Sequence, residues 1–368
     1  MDNASAIPKT LPEIPYKGLE HYQEADAPFF FGRQREWQVV ADNLIASRLT
    51  VLYGVSGVGK SSLLRAGVAH YLQQQARRNL ADSGVPEFAV VVFNAWQDDP
   101  LADFLQQVAA AVTALLPDES PPASVATRGL PPILKDWAQR LNPGPGGQLF
   151  VILDQFEEYF LYHTQEEDPG PFARELLRVL NHPDSPVNVL ISIREDSLAR
   201  LDQFKAQVPN LFDNLVSVKH LNAKAAYDAV VKPIQVYNQG LAPYEEPITV
   251  DEGLVKVVVD QVSQIIRQSN GQGILKKSRL ESEKYIEAPY LQLVMEYLWK
   301  EEINHRHSDC LRLKTLLDIG GAEQIVKAHL GRQMTLLRQQ EGEQAVKVAA
   351  KVFQYLVTPS GSKIAYPF

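Results

Sequence analysis

Apolar residues along this chain alternate between two arrangements. Continuous runs at 49–53, 88–93 (FAVVVF), 148–153 (QLFVIL) and 187–193 (VNVLISI) are separated by segments whose apolar positions recur every three or four residues. The runs read as strands buried on both faces, and the periodic segments as helices covering them. The predicted order is helix 34–46, strand 49–53, helix 60–76, strand 88–93, helix 100–116, a short helix 133–141, strand 148–153, helix 171–181, strand 187–193, helix 195–204 and strand 215–220. In helix 100–116, Leu101, Phe104, Leu105, Val108, Val112 and Leu115 line one face. After Leu221 the pattern becomes entirely helical, with helices at 223–236, 251–267, 288–303, 321–339 and 343–357, and Pro233 reads as a helix terminator. The Pro-rich stretch 117–132 and the polar stretch 269–285 read as loops. The fold class is α/β, a parallel sheet covered by helices on both faces, followed by an all-α domain.

The join between strand 49–53 and helix 60–76 carries the chemistry. Gly54, Val55, Ser56, Gly57, Val58, Gly59, Lys60 and Ser61 match G-x4-G-K-[ST], a phosphate-binding P-loop. Glycines let successive backbone N–H groups turn around a polyphosphate without side-chain obstruction. Lys60 reaches the outer phosphates, Ser61 offers its hydroxyl to Mg²⁺, and Ser62 continues the first turn. The following helix aims its positive end at the same anion.

Such a loop needs a second half. Asp154 ends the run Phe150–Leu153, where P-loop enzymes place the carboxylate that holds Mg²⁺ or its water; the plainer reading is a helix cap. The position directly after it, where many ATPases carry the water-activating acid, is Gln155. Glu157 or Glu158 takes that role if the chain turns sharply, and otherwise both open a helix as solvated charges. A displaced base predicts slow hydrolysis. Arg194 ends the next run at the ligand-binding edge of the sheet, positioned to report a γ-phosphate or, more plainly, paired with Glu195 or Asp196. No Asn-Lys or Thr-Lys pair of the guanine-reading [NT]-K-x-D type occurs, so adenine is the expected base.

Composition narrows the class. The 368 residues, 45% hydrophobic and 22% charged, suit a soluble protein of two or three domains. The net charge of −8 lacks the basic signature of generic nucleic-acid binding. No apolar run approaches a membrane span, the N-terminus has no secretory leader, and the one cysteine agrees with a cytoplasmic location. His305, His307 and Cys310 fit no common zinc module. Trp96 and Trp137 read as core anchors, and LKKSR at 275–279 as a solvated loop.

The order FFFGRQREW, GVSGVGKSSLLRAGV, LFVILDQFEEYF, ISIREDSLARL, APYLQLVMEYLW resembles the STAND class of signalling NTPases, and within it the group called novel STAND NTPase 1, over about residues 15–357. The resemblance implies that Phe31, Gly32 and Arg33 flank adenine and ribose, that Gly54 to Ser62 hold the phosphates, and that Asp154 holds Mg²⁺. It makes Glu157 the polarising acid, Arg194 the sensor of the γ-phosphate, and Pro289 the contact from the helical domain. It implies an ATP/ADP switch with slow Mg²⁺-dependent hydrolysis, protein partners or self-assembly in the ATP state, and a place in a bacterial stress or defence response. The expected division is a flexible lead 1–14, an NTPase domain 15–221, a helical domain 222–340 and a partial winged-helix-like segment 341–368, after which sensor and effector modules are missing or supplied elsewhere. Two other readings stand beside it: an AAA-type nucleic-acid-remodelling or loader ATPase, and a nucleotide-binding scaffold without turnover.

Overall fold

A computed structural model describes residues 10–117, 129–163, 169–269 and 285–356. Much of the loop expected at 117–132, nearly all of that at 269–285 including 275–279, and the C-terminal 357–368 lie outside them. The chain divides into two compact units, one from Glu20–Leu221, the other from Thr10–Leu19 with the chain from Asn222 onward.

The first unit runs α1 (Gln34–Ala46), β1 (Leu49–Gly54), α2 (Lys60–Ser62), a π-helical stretch Leu63–Ala69, α3 (His70–Ser83), β2 (Phe88–Phe93), α4 (Pro100–Thr113), α5 (Leu130–Leu141), β3 (Gln148–Leu153), α6 (Glu157–Tyr162), α7 (Gly170–Asn181), β4 (Val187–Arg194), a 3₁₀ stretch Glu195–Phe204 and β5 (Leu215–Ser217). The five strands form one sheet in the order β2-β3-β4-β1-β5, and every pair is parallel. Alternation sorts its side chains. Val51, Val91, Val151 and Ile191 face a core with Trp96, Trp137 and Phe172, while Leu52, Val92, Ile152 and Leu190 face Trp37, Leu64 and Val68. Buried on both faces, β1 to β4 had to be continuous apolar runs, which is why the pattern located them.

Local chemistry sets the ends. Asp99 caps α4, its Oδ1 accepting from the Ala102 N–H at 3.1 Å, with Pro100 in the first turn. Gly84 closes α3 in the left-handed region. The helix expected at 60–76 is one rod with a π segment and reaches Ser83; 195–204 is 3₁₀ rather than α-helical.

The second unit holds α8 (Ala223–Gln239), β6 (Thr249–Val250), α9 (Leu254–Ser269), α10 (Ala288–Trp299), a π-helical stretch Lys300–His305, β7 (Cys310–Leu311), α11 (Leu313–Asp318) and α12 (Ala322–Leu356). Two expectations are corrected here. Pro233 is buried inside α8 and does not end it; the Tyr16 hydroxyl donates to the Val230 carbonyl at 2.7 Å in the turn before it. The unit is not entirely helical, because β6 and β7 pair across 60 residues of sequence, with Thr249 opposite Cys310. The expected division between helices 321–339 and 343–357 is kept, since α12 is two helices parted at Gly342, whose φ of 84° is not helical.

Residues 10–19 form a strap on this helical unit. The Trp299 indole N–H donates to the Glu13 carbonyl at 3.0 Å, and the Lys17 N–H donates to the Gln292 side chain at 3.2 Å. Tyr16 is buried, edge-on to Trp299 at 6.1 Å. Nearby, the fully buried Glu302 accepts from Arg312 at 2.7 Å and from the Thr315 hydroxyl, joining the π stretch to β7 and α11.

Candidate nucleotide site

Parallel pairing brings the ends of β1, β3 and β4 to one edge of the first unit's sheet. Gly54, which opens the loop, lies opposite Arg194 in the register. Leu153 lies opposite Ile191, so Asp154 and Ser192 follow on neighbouring strands. Residues 140 positions apart along the chain thus surround one loop.

Each loop glycine has its own reason. Gly57 and Gly59 take φ of 74° and 95°, which side chains resist. At Gly54 the constraint is space, since a Cβ would lie 2.7 Å from the Val218 carbonyl oxygen. Ser56 and Gly57 are exposed and Ser61 half-buried at the loop's rim. Val58 points inward, 1% exposed, so only its backbone belongs to the loop surface. Lys60 folds against the same loop, its Nζ donating to the carbonyls of Gly54 at 2.9 Å and Val55 at 3.5 Å.

Arg33 braces this loop from behind. Its guanidinium donates to the Lys219 carbonyl at 2.6 Å and the Val58 carbonyl at 2.9 Å, and it sits 3.4 Å from Glu36. It is 4% exposed, and burial lowers its pKa. Gly32 is buried with φ of 85°, turning the chain from the half-buried Phe31 into α1. Ser62 faces the same segment, its Oγ accepting from the Tyr22 N–H at 3.1 Å. Sequence reasoning placed Arg33 and Ser62 at a nucleotide; in the structure both side chains fasten residues 22–33 to the P-loop, and Tyr22 was not foreseen.

Across the edge, Asp154 is 1% exposed. Its Oδ1 accepts from the Ser192 hydroxyl at 2.9 Å and from the Gln155 N–H at 3.0 Å. Its Oδ2 is buried without a partner, one of three such atoms among the described residues with Arg65 Nε and His220 Nδ1. The backbone is equally held: the Trp96 indole donates to the Asp154 carbonyl at 2.8 Å, and the Asp154 N–H donates to Phe93. A buried carboxylate oxygen with no donor needs a cation or its water shell. A hard, oxygen-seeking Mg²⁺ shared with phosphate oxygens and the Ser61 hydroxyl fits that donor set. Among the described residues no three His, Cys, Asp or Glu side chains gather into a protein-only metal cage. Cys310 Sγ instead donates to Asp251 at 3.5 Å, and His305 faces Glu301 at 3.4 Å.

The sharp turn that an acid at 157 requires is present. Gln155 adopts φ of 55°, a left-handed conformation that costs a non-glycine residue energy. It buries Phe156 and starts α6 with Glu157, whose Oε2 accepts from the Arg194 N–H at 3.2 Å. Desolvation raises the Glu157 pKa, opposed by the Lys60 charge and reinforced by Asp154. Desolvation also lowers that of Lys60, opposed first by Glu157 and then by Asp154. Lys60, Asp154 and Glu157 therefore share one field. Glu158 is half-buried on the same turn. The Arg194 guanidinium pairs with Asp196, with Nε at 3.1 Å from Oδ1, as the plainer reading of the sequence held. Pro289 lies in the other unit, in the first turn of α10.

A parallel sheet with a glycine loop between an interior strand and a helix, a lysine closing that loop and an acidic strand end two strands away defines a P-loop nucleotide-binding protein. The model of the novel STAND NTPase 1 family matches residues 15–365, and the chain belongs to that family. A search of curated proteins finds no match. Solved structures resemble it distantly. The ORC2 protein of Aeropyrum pernix with ADPNP and ADP is 13% identical at a TM-score of 0.46, over 80% of this chain and 66% of that one, just under two thirds. A Walker-type ATPase of Pyrococcus abyssi is 14% identical at 0.46, over 93% and 81%. The ORC1 protein of Aeropyrum pernix bound to DNA is 15% identical at 0.46, over 92% and 70%. Likeness at this level says nothing about what this chain binds. No helix among the described residues is long and apolar enough to cross a membrane.

Proposed function

We propose that this protein is an ATP/ADP-binding molecular switch with slow, Mg²⁺-dependent ATP hydrolysis, acting through protein partners or self-assembly in its ATP state. The observation that carries the reading is the meeting of Lys60, Asp154 and Glu157 in one partly buried field beside the P-loop. Backbone amides of residues 56–61 cradle the phosphates, and Lys60 exchanges its own loop carbonyls for phosphate oxygens. Bound Mg²⁺ supplies charge neutralisation at the outer phosphates. Asp154 offers it the free Oδ2, and Ser61 its hydroxyl. Glu157, held at the edge by the Arg194 N–H, orients and polarises the attacking water. Arg194 changes its partner from Asp196 to the γ-phosphate, so its position reports triphosphate against diphosphate. The segment Phe31–Gly32–Arg33 lies beside adenine and ribose, and Pro289 links the helical unit to nucleotide state. The family resemblance supports a bacterial stress or defence setting in the cytoplasm.

Calorimetry and turnover on the intact chain test this. Wild-type protein should bind ATP with Mg²⁺ and hydrolyse it slowly; Lys60→Ala should weaken triphosphate binding at least tenfold. Glu157→Gln should leave binding within about twofold and slow hydrolysis by about a hundredfold, the usual scale for a positioned acid or base. Unchanged ATP affinity in Lys60→Ala would overturn the site.

A further inference from the structure

Asp154, the proposed Mg²⁺ ligand, is held in place by a residue to which the sequence alone assigned no role. We infer that Ser192 is a positioning residue for the metal carboxylate: its hydroxyl fixes the Asp154 rotamer so that Oδ2 alone faces the metal. The inference rests on the nucleotide-site reading above and deepens it.

The geometry runs from register to chemistry. Because Leu153 pairs with Ile191, the next residues, Asp154 and Ser192, fall side by side at the carboxyl edge. Ser192 is wholly buried and its carbonyl accepts from the Phe156 N–H at 2.9 Å, so its backbone is fixed to the turn beyond Asp154. The hydroxyl cannot swing to water. It donates to Asp154 Oδ1 at 2.9 Å, where the Gln155 N–H also donates at 3.0 Å. Two donors on one oxygen and none on the other make the carboxylate asymmetric, with Oδ2 left buried and unpaired. A free carboxylate rotates about its terminal bond with little resistance. Such outer hydrogen bonds orient metal ligands, and their loss typically lowers metal affinity about 10–100-fold.

An apolar strand would serve equally well if this position were only structural. Neighbouring β4 residues Val189, Leu190, Ile191 and Ile193 are all buried apolar side chains. A buried hydroxyl among them needs an acceptor, and Asp154 is the one it has.

The test compares wild type with Ser192→Ala and Ser192→Cys, measuring ATP affinity by calorimetry in Mg²⁺ and in EDTA, the Mg²⁺ concentration for half-maximal hydrolysis, and thermal unfolding without nucleotide. Ser192→Ala should raise the half-maximal Mg²⁺ concentration about tenfold and lose most of the Mg²⁺-linked gain in ATP affinity, with affinity in EDTA within twofold of wild type. Ser192→Cys, of similar size with a weaker donor, should move the same way by less, and stands in for the alanine variant should that one not fold. An unchanged Mg²⁺ response in a folded variant overturns the inference, as does equal weakening with and without Mg²⁺, which marks a structural role. If wild type itself shows no Mg²⁺-linked ATP binding, the nucleotide-site reading has failed and the inference falls with it. If wild type responds and the variants match it, only the role of Ser192 fails.

Discussion

At the scale of single residues, the site joins two oppositely perturbed groups. Burial pushes the Glu157 carboxyl up and the Lys60 ammonium down, while each charge partly restores the other. The consequences for stability differ in sign. Glu157 has a folded pKa above its unfolded one, so its contribution is full below the unfolded pKa and is lost as pH rises through the folded value. Lys60 has a folded pKa below its unfolded one; the unfolded chain holds the proton more tightly, and stability rises with pH in the window just under the ordinary lysine value. Glu157→Gln is uncharged throughout and its amide oxygen still accepts from Arg194. Without nucleotide it should melt above wild type at pH 7, with the gap closing as pH falls to the ordinary carboxylate value. A thermal-unfolding series against pH measures this, and a gap that widens toward acid would contradict the Glu157 assignment. The gain in stability would accompany a loss of turnover, as expected where a site keeps a desolvated charge.

At the scale of elements, the P-loop depends on how closely its helix meets α1. Gly67 lies in the π-helical stretch, and a Cβ there would sit 2.7 Å from the Trp37 Cβ and 2.8 Å from its Cγ. Trp37 is 5% exposed and packs on Tyr71 at 5.1 Å, leaving the ring no room to withdraw. Gly67→Ala adds about 1 kcal/mol of helix propensity but costs about 1–3 kcal/mol in overpacking, so the balance is a loss. Arg33 stands immediately before α1, so a displaced helix also pulls the guanidinium from the Val58 carbonyl. Urea unfolding should show the destabilisation, and ATP affinity should fall severalfold although residue 67 lies outside the loop. Affinity at wild-type level would separate helix packing from loop geometry. The period of the sequence located the rod beginning at Lys60, yet its π stretch went unseen. A π turn shifts hydrogen bonding by one residue and leaves the apolar stripe almost unchanged. Strands β2 and β3 matched their predicted bounds because both their faces are buried; β6 and β7, two residues each, carry no such run.

At the scale of the molecule, the described chain begins in one unit, passes through the other and returns. Thr10–Leu19 belong with the helical unit and Glu20–Leu221 form the sheet unit, so the sheet unit is connected to the helical one at both ends. The predicted boundary at 14/15 fell inside the strap, whose residues look like a linker by composition. Its attachment depends on contacts more than 200 residues away in sequence, such as that from Tyr16 to Val230. Tyr16→Ala removes a buried ring and the donor to a helix carbonyl, an effect of about 3 kcal/mol by the usual cost of core aromatics. Hydrogen exchange on the full chain should show faster opening in α8 and α10, with β1, β3 and β4 keeping their protection. Uniform loss in both units would mean that the strap holds the whole chain and not one unit.

The one-dimensional pattern was enough for the α/β class, four of the strands, the phosphate loop and the acidic strand end, because each rests on residues close together in the chain: an apolar run, a glycine spacing, a carboxylate where a run stops. Tertiary structure alone decided that Glu157 meets the Arg194 N–H, that Arg33 braces the loop, that Ser192 meets Asp154, and that residues 10–19 serve the helical unit. Those outcomes follow from strand register and from a left-handed turn at Gln155, set by packing between distant segments, and no local composition records them.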